Sequence, residues 1–191
     1  DITERKLVED ARQRARDEMF VLLNAISNAA SHSFVLDDFL SESIYQIIHP
    51  FQSQVSVIFL IDEEDDNHQY RQMRLAAHFG LVVDSLSETD IFSAQTWVFS
   101  ELMRTRQPII IENAQIDTQI PSAIKDAEII SLVVLPLITQ AGENSRLLGA
   151  LLLGRKNNAA YSQDEVIRLM AIAEQIANLV DSDRRRQLAI A

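Results

Sequence analysis

The N-terminal segment, residues 3–31, has the hydrophobic pattern of one long helix. It contains no Pro or Gly, and its apolar side chains recur at steps of three, four and seven residues. These side chains are Val8, Ala15, Met19, Leu22, Ile26 and Ala29. The pattern predicts a heptad-like stripe. The densely charged first half suits either a solvated helix with i,i+4 ion pairs or a helix paired with its copy in a dimer, and we expect the second half to pack on the domain in both cases.

A second amphipathic helix is predicted over residues 33–49. Its apolar face consists of Phe39, Leu40, Ile44, Ile47 and Ile48. Asp37 or Asp38 is suited to cap its N-terminus. Pro50 ends it, because proline cannot continue the helical hydrogen-bond ladder.

Alternating or continuous apolar runs predict strands in the middle of the chain. Residues 55–61 are apolar on both faces, so both sides of that strand must be covered. An acidic turn at 62–67 should join it to a second strand at 73–79, and residues 81–92 indicate a loop. Further strands are predicted at 108–111, 129–138 and 147–154, with a helix at 94–104, a helical turn at 121–126 and a hairpin turn at 140–144.

The C-terminal part of the chain begins with Ser162 followed by Glu165, which is the spacing of a capping box. Its apolar stripe consists of Val166, Leu169, Ala173, Ile176 and Val180. The order of elements predicts an α+β fold with a central antiparallel sheet. The first and last helices should each run about 40 Å, more than one small sheet covers, so we expect their far ends to project.

Composition limits the function classes. A chain of 191 residues with 47% hydrophobic and 24% charged residues fits one globular domain with extensions. The absence of Cys excludes disulfides, thiolate metal sites and Cys nucleophiles. A net charge of −11 argues against nucleic acid binding, which needs basic residues to neutralise phosphates. We find no signal peptide and no apolar run long enough to insert into a membrane.

The sequence contains no recognisable catalytic signature, so we predict neither catalytic nor metal-binding residues. Nucleophile elbow, P-loop and zinc-protease motifs are all missing, and the four His residues lie in separate predicted elements. Residues 62–66 are acidic, but they lack the ligand spacing and the Gly of a calcium loop and indicate a solvated turn.

With these elements in order, the chain from about residue 20 to 183 resembles a GAF domain. The similarity rests on residues 33–40, 55–62, 74–81, 105–111, 131–137, 148–151 and 161–165. The resemblance implies a signalling or linker helix at 1–32, a GAF core at 33–160 and a C-terminal helix at 161–191 leading to an output domain. It also implies terminal helices on one sheet face and a pocket covered by a helix and loops on the other.

The first residues carry a second resemblance. Residues 1–6, DITERK, are similar to the exit motif of a PAS domain, although a simple Thr3 N-cap is the alternative interpretation. Together with the missing initiator Met, this leads us to expect an internal piece of a cytoplasmic bacterial signalling protein. A sensor histidine kinase of a two-component system, or a cyclic-di-nucleotide enzyme, would carry its kinase or cyclase domain outside this segment.

The resemblance implies a ligand cavity, although the same residues could simply fill a hydrophobic core. The candidate lining residues are Phe59, His78, Trp97, Ile111, Asn113, Ile129, Ser131 and Val133. Covalent bilin attachment in this family needs a Cys and is excluded. Haem and cyclic nucleotide are not expected, since the family's cyclic-nucleotide residues are matched only in part by Asn113, Lys125, Asp126 and Glu128.

Two functions are consistent with the sequence. One is a non-catalytic sensory module that binds an unknown small molecule and relays a signal through dimeric terminal helices. The alternative is a ligand-free module for dimerisation and relay. In both, the residues expected in the dimer and relay contacts are Val8, Ala15, Leu22, Ile26, Leu169, Ala173, Ile176 and Val180.

Overall fold

The fold is built on an antiparallel sheet with helices packed on both of its faces. The computed structural model describes residues 2–32, 35–61, 73–82, 97–141 and 144–190. The elements are α1 (Ile2–His32), α2 (Leu36–Ile48), β1 (Val55–Ile61), β2 (Met73–Phe79), α3 (Trp97–Thr105), β3 (Ile109–Ile111), α4 (Ser122–Asp126), β4 (Ser131–Ala141), β5 (Asn144–Arg155) and α5 (Gln163–Ile190). Within those residues the sheet has five strands, in the order β2-β1-β5-β4-β3. The predicted α+β class and antiparallel sheet are confirmed.

Several predicted boundaries differ from the structure by a few residues, most of all at the β4–β5 turn and at the start of α2. The strands of the β4–β5 hairpin extend into the turn predicted at 140–144, with Gln140 paired to Ser145 and Ala141 to Asn144. Backbone pairing needs no apolar side chains, so the polar composition that predicted a turn did not end the strands. The α2 N-cap is Val35, with no side-chain cap.

Several predictions fall on residues outside the described ranges. These are the acidic turn at 62–67, most of the loop at 81–92 and the first residues of the helix predicted at 94–104. Asp37 and Asp38 do lie within the described part. They occupy the first turn of α2, where their negative charges interact favourably with the positive end of the helix dipole.

Both faces of the sheet are covered by apolar packing. One face carries side chains that pack under α1, α2 and α5, and we call this the helix-side cluster; its strand members include Ile58, Leu60, Val133, Leu135, Leu151 and Leu153. The other face packs under α3 and α4, and we call this the opposite-face cluster; its strand members include Val57, Phe59, Leu132, Val134 and Leu152. Every residue of β1 is buried, as its two-sided apolar pattern predicts.

The terminal helices extend beyond these clusters. In α1, residues 2–14 are exposed and burial begins at Ala15. In α5, residues 185–190 are exposed. Their far ends therefore lie outside the helix-side cluster, as their length predicts. Among the described residues, no helix combines the length and hydrophobicity needed to cross a membrane.

The centre of the sheet is tightest where β5 lies against β1. Gly149 pairs with Leu60, and a Cβ added at Gly149 would lie 1.9 Å from the carbonyl oxygen of Phe59. The atom in the way belongs to the backbone of a buried strand, so it cannot move aside as a flexible side chain does. Glycine is therefore required at this position.

We predict that Gly149→Ala lowers the free energy of unfolding by about 1–3 kcal/mol or more, because the added methyl group forces β1 and β5 apart. Urea unfolding followed by circular dichroism measures the change. Lys156→Ala, an exposed substitution just beyond β5, is the control and should have little effect. Equal stability of the two variants would contradict the close approach.

Candidate functional site

The two terminal helices meet on the helix side of the sheet. Leu22 and Ile26 of α1 are buried in the same cluster as four α5 residues, which are Leu169, Ala173, Ile176 and Val180. A hydrogen bond also joins the helices, since the Gln175 side-chain amide donates to the carbonyl oxygen of Leu23 at 3.3 Å. The structure thus brings together six of the residues predicted for the relay.

The remaining two predicted dimer and relay residues lie outside this cluster. Val8 is 49% exposed on the first half of α1, and Ala15 is half-buried. Leu22 and Ile26 are occupied within the protomer, so they are not available to a partner. The most exposed large apolar side chains near the middle of α1 are instead Phe20 and Val21, at 67% and 66%. Sequence reasoning missed them because they lie off the heptad stripe.

Polar contacts hold α5 on the sheet in addition to its apolar stripe. Thr139 of β4 donates to the side-chain oxygen of Asn178 at 3.1 Å. Near the other end, the Arg184 guanidinium donates to the backbone carbonyl of Ile61 at 2.8 Å, where β1 ends. Asp183 is buried and accepts from Arg186 at 2.6 Å. Because of these contacts, α5 follows the sheet as far as Arg184.

The opposite face of the sheet brings together three of the predicted ligand-lining residues. Phe59, Ile111 and Ile129 all belong to the opposite-face cluster. The ring of Phe59 meets the ring of Phe99 edge to face, with centroids 5.6 Å apart. Ile129 and Phe99 are fully buried. In the described part of this face, these side chains pack against one another as a core.

Two of the predicted ligand-lining residues lie on the wrong face. Val133 belongs to the helix-side cluster, whereas its neighbours Leu132 and Val134 face the predicted pocket. Ser131 has the same parity as Val133, and its hydroxyl donates to the carbonyl oxygen of Asn157 at 2.9 Å. Side chains alternate along a strand, so choosing the odd-numbered positions of β4 assigned both to the face away from the helices incorrectly.

The chain matches the GAF domain family model over residues 36–181. It belongs to the GAF domain family. The expected GAF fold is thereby confirmed, and GAF domains are sensory and regulatory modules of signalling proteins such as kinases and phytochromes. They are generally non-catalytic.

Solved structures share this fold at low sequence identity. The GAF domain of a phosphoenolpyruvate-protein phosphotransferase from Coxiella burnetii is 16% identical, with a TM-score of 0.70, and the match covers 90% of this chain and 97% of that one. A phycoerythrobilin-bound GAF domain of a cyanobacterial phytochrome is 14% identical, with a TM-score of 0.63 and coverage of 88% and 97%.

One similar structure is an enzyme. A free methionine-R-sulfoxide reductase from Neisseria meningitidis, in complex with its substrate, is 13% identical, with a TM-score of 0.67 and coverage of 86% and 89%. At this level of identity the similarity concerns the fold alone. None of the curated proteins matched the chain.

Two of the remaining predicted ligand residues of this GAF domain, His78 and Asn113, are at or beyond the edge of the apolar core. His78 pairs across the sheet with Val57, on the pocket face, and is exposed. Asn113 is also exposed, and its side-chain oxygen accepts from the backbone N–H of Gln115 at 3.1 Å. The structure describes the backbone of Trp97, at the start of α3, but its side chain lies outside the described part.

A residue that sequence reasoning missed is Gln115 in the segment before α4. Its side-chain amide donates to the carbonyl oxygen of Ile129 at 2.7 Å, and the neighbouring Ala114 N–H donates to the carbonyl oxygen of Ile130 at 2.7 Å. These bonds hold the 112–121 segment against the start of β4. A single Gln in a polar loop carries no sequence signal for such a role.

Metal coordination has no support in the described part of the chain. No group of three or more His, Asp or Glu side chains there could hold an ion. The acidic run at 62–66 lies outside the described residues.

We predict that Ile26 and Ile176 are energetically coupled. Ile26→Ala and Ile176→Ala should each lower the free energy of unfolding by about 2–5 kcal/mol, because both side chains are fully buried. Chemical denaturation of the two single variants and the double variant should give an interaction energy of about 0.5 kcal/mol or more.

The matched control is a second cycle in which Val21, an exposed residue of the same helix, takes the place of Ile26. A cycle of Val21→Ala with Ile176→Ala should be additive. Strict additivity of the Ile26 and Ile176 variants would contradict direct packing between the two helices at these positions.

Proposed function

We propose that this GAF domain is a non-catalytic regulatory module that relays a signal between its terminal helices. The observation that carries the proposal is the shared core of α1 and α5, in which Leu22 and Ile26 are buried with Leu169 and Ile176. Two helices packed side by side cannot shift independently. A rotation or translation of α1 therefore changes the packing of α5, which is the kind of element that passes a signal through a protein.

Homodimerisation is part of this proposal. The exposed Phe20 and Val21 lie on α1 beside the region that packs on the domain, and Leu7 and Val8 continue the apolar content into the projecting half. Burying a side chain of this size stabilises an interface by about 1.5–3 kcal/mol. Pairing of α1 with its copy would cover these residues and form a bundle with the two α5 helices.

We predict that the protein is a dimer and that Phe20→Glu converts it to a monomer, because a carboxylate at the interface would be buried without a partner. Light scattering at micromolar concentration should give about twice the 21.6 kDa monomer mass for the unchanged chain and 21.6 kDa for the variant. Ile116→Glu is the matched control, since Ile116 is 78% exposed outside the terminal helices, and it should stay dimeric. A wild-type mass of 21.6 kDa would rule out the dimer.

We also propose that the module works within a larger cytoplasmic signalling protein. An upstream PAS-like domain would deliver its signal along the exposed residues 2–14 of α1, and an output domain would follow the exposed residues 185–190 of α5. A histidine kinase domain of a two-component system or a cyclic-di-nucleotide domain fits such an output. Truncation of residues 2–14 in the longer protein should uncouple input from output without unfolding the domain, because no residue of that segment is buried.

Small-molecule sensing is a second candidate function, and the β2 edge of the opposite face supports it. Met73 and Leu75 are only half-buried where they pack on the opposite-face cluster, and the exposed His78 lies on the same strand. Apolar surface next to a polar group is the usual composition of a ligand site. Of the residues predicted from the sequence, Phe59 and His78 remain candidates at this edge. Ile111 and Ile129 belong to the packed part of the same face, Asn113 is exposed in the segment after β3, and the Trp97 side chain lies outside the described part.

For this candidate we predict a non-covalent adduct in the native mass spectrum of the purified protein, lost on denaturation. His78→Ala should lower the adduct fraction, because the imidazole would supply the polar contact. His49→Ala removes another exposed imidazole, at the end of α2, and should leave the adduct unchanged. A native spectrum of the bare protein would favour the ligand-free relay module.

A further inference from the structure

The first turn of α5, which we call its root, lies beside a buried arginine that neither the relay nor the ligand proposal uses. Arg155 is the last residue of β5 and is 4% exposed. A buried guanidinium costs several kcal/mol of desolvation unless its donors are satisfied. Its partners therefore identify which parts of the chain must be in place before this charge can be buried.

The partners of Arg155 come from three different segments. Its Nε and Nη2 atoms donate to the carbonyl oxygen of Phe51, between α2 and β1, at 3.2 and 2.8 Å. Its Nη1 atom donates to the carbonyl oxygen of Ala159, between β5 and α5, at 3.0 Å. Its Nη2 atom also pairs with the carboxylate of Glu165 in the first turn of α5. The guanidinium thus joins the end of β5 to Phe51, to the connection between β5 and α5, and to the first turn of α5.

Tyr161 and Ser53 complete this arrangement. The Arg155 guanidinium lies over the Tyr161 ring, 3.9 Å from its centroid. The Tyr161 hydroxyl is hydrogen-bonded to the Ser53 hydroxyl at 2.7 Å. Burial raises the pKa of Tyr161 to about 12, so the hydroxyl keeps its proton at neutral pH. We call Phe51, Ser53, Arg155, Tyr161 and Glu165 together the α5 clasp.

Glu165 links the clasp to the start of the helix itself. Its carboxylate accepts from the Ser162 backbone N–H at 3.1 Å, and its own N–H donates to the Ser162 hydroxyl at 3.2 Å, so the predicted capping box is present. Burial alone would raise the pKa of Glu165, but hydrogen bonds from Arg155 and Ser162 outweigh it and lower that pKa. The carboxylate is therefore ionised when it pairs with Arg155.

We propose that the α5 clasp is a conformational device that couples the 51–53 segment to the root of α5, with Arg155 as its positioning residue. A half-open clasp would leave a buried charge without its partners, so the closed arrangement is favoured over partial opening. Displacement of the α5 root must then release Phe51 and Ser53 as well. Conversely, a signal that reaches the 51–53 segment frees the start of the helix that leads away from the domain.

Hydrogen exchange of the full 191-residue chain tests this coupling. In Arg155→Met, amides in 51–54 and in 163–168 should both exchange about tenfold faster or more, because both segments lose their shared partner. Amides of β4 in 132–135 should keep their protection. Lys156→Met is the matched control, since Lys156 lies next in sequence but its side chain is exposed and pairs with Glu128 at 3.5 Å. The backbone N–H of Lys156, which donates to the Gln54 side chain at 2.9 Å, is unchanged by this substitution.

Glu165→Gln gives the sharper test and still applies if Arg155→Met fails to fold. Glutamine preserves the capping box but removes the charge that faces Arg155. No hydrogen bond joins Glu165 directly to Phe51 or Ser53, so faster exchange at 51–54 in this variant requires coupling through the other clasp residues, Arg155 or Tyr161. Faster exchange confined to 163–168 would overturn the proposal. An equal increase in the exchange rates of the β4 amides would overturn it too. Neither result depends on whether the protein dimerises or binds a ligand.

Discussion

The structure depends on the burial of both faces of the central strands. Each residue of β1 is buried, and its neighbour β5 approaches it so closely that Gly149 cannot carry a side chain. A sheet with two apolar faces needs a layer on each side. The terminal helices and α2 supply one layer, and α3 with the 112–128 segment supplies part of the other. The positions of the buried candidate residues follow from which of these layers they belong to.

On the helix side, this requirement ties the ends of the chain to the core. The second half of α1 and most of α5 are there because the sheet needs cover, and the same packing makes them adjacent. Hydrogen bonds then hold α5 along its length, from Glu165 at its root through Asn178 to Arg184 at the end of β1. An element held at several points moves as a unit, which suits a helix that carries a signal out of a domain. Outside these contacts, the projecting ends at residues 2–14 and 185–190 are exposed.

The opposite face separates the two functional hypotheses. Its centre is occupied by the protein's own side chains, with Phe59 against Phe99 and with Ile129 fully buried. A ligand at that point would have to displace them and lose their packing. A small molecule bound at the β2 edge, beside half-buried Leu75 and exposed His78, would not have to displace that packing. The relay function requires no such molecule.

The sequence by itself determined the class of fold and the order of the helices and strands that the structure describes. Its helical stripes, two-sided strands, Pro50 and the Ser162–Glu165 capping box depend on local spacing, and the structure reproduces them. It did not determine which face of β4 holds Ser131 and Val133, because alternation gives two equivalent faces until the sheet is packed. Phe20, Gln115 and Arg155 were also missed. Their roles arise from contacts between segments distant in the chain, such as Arg155 with Phe51, and only tertiary structure decides those.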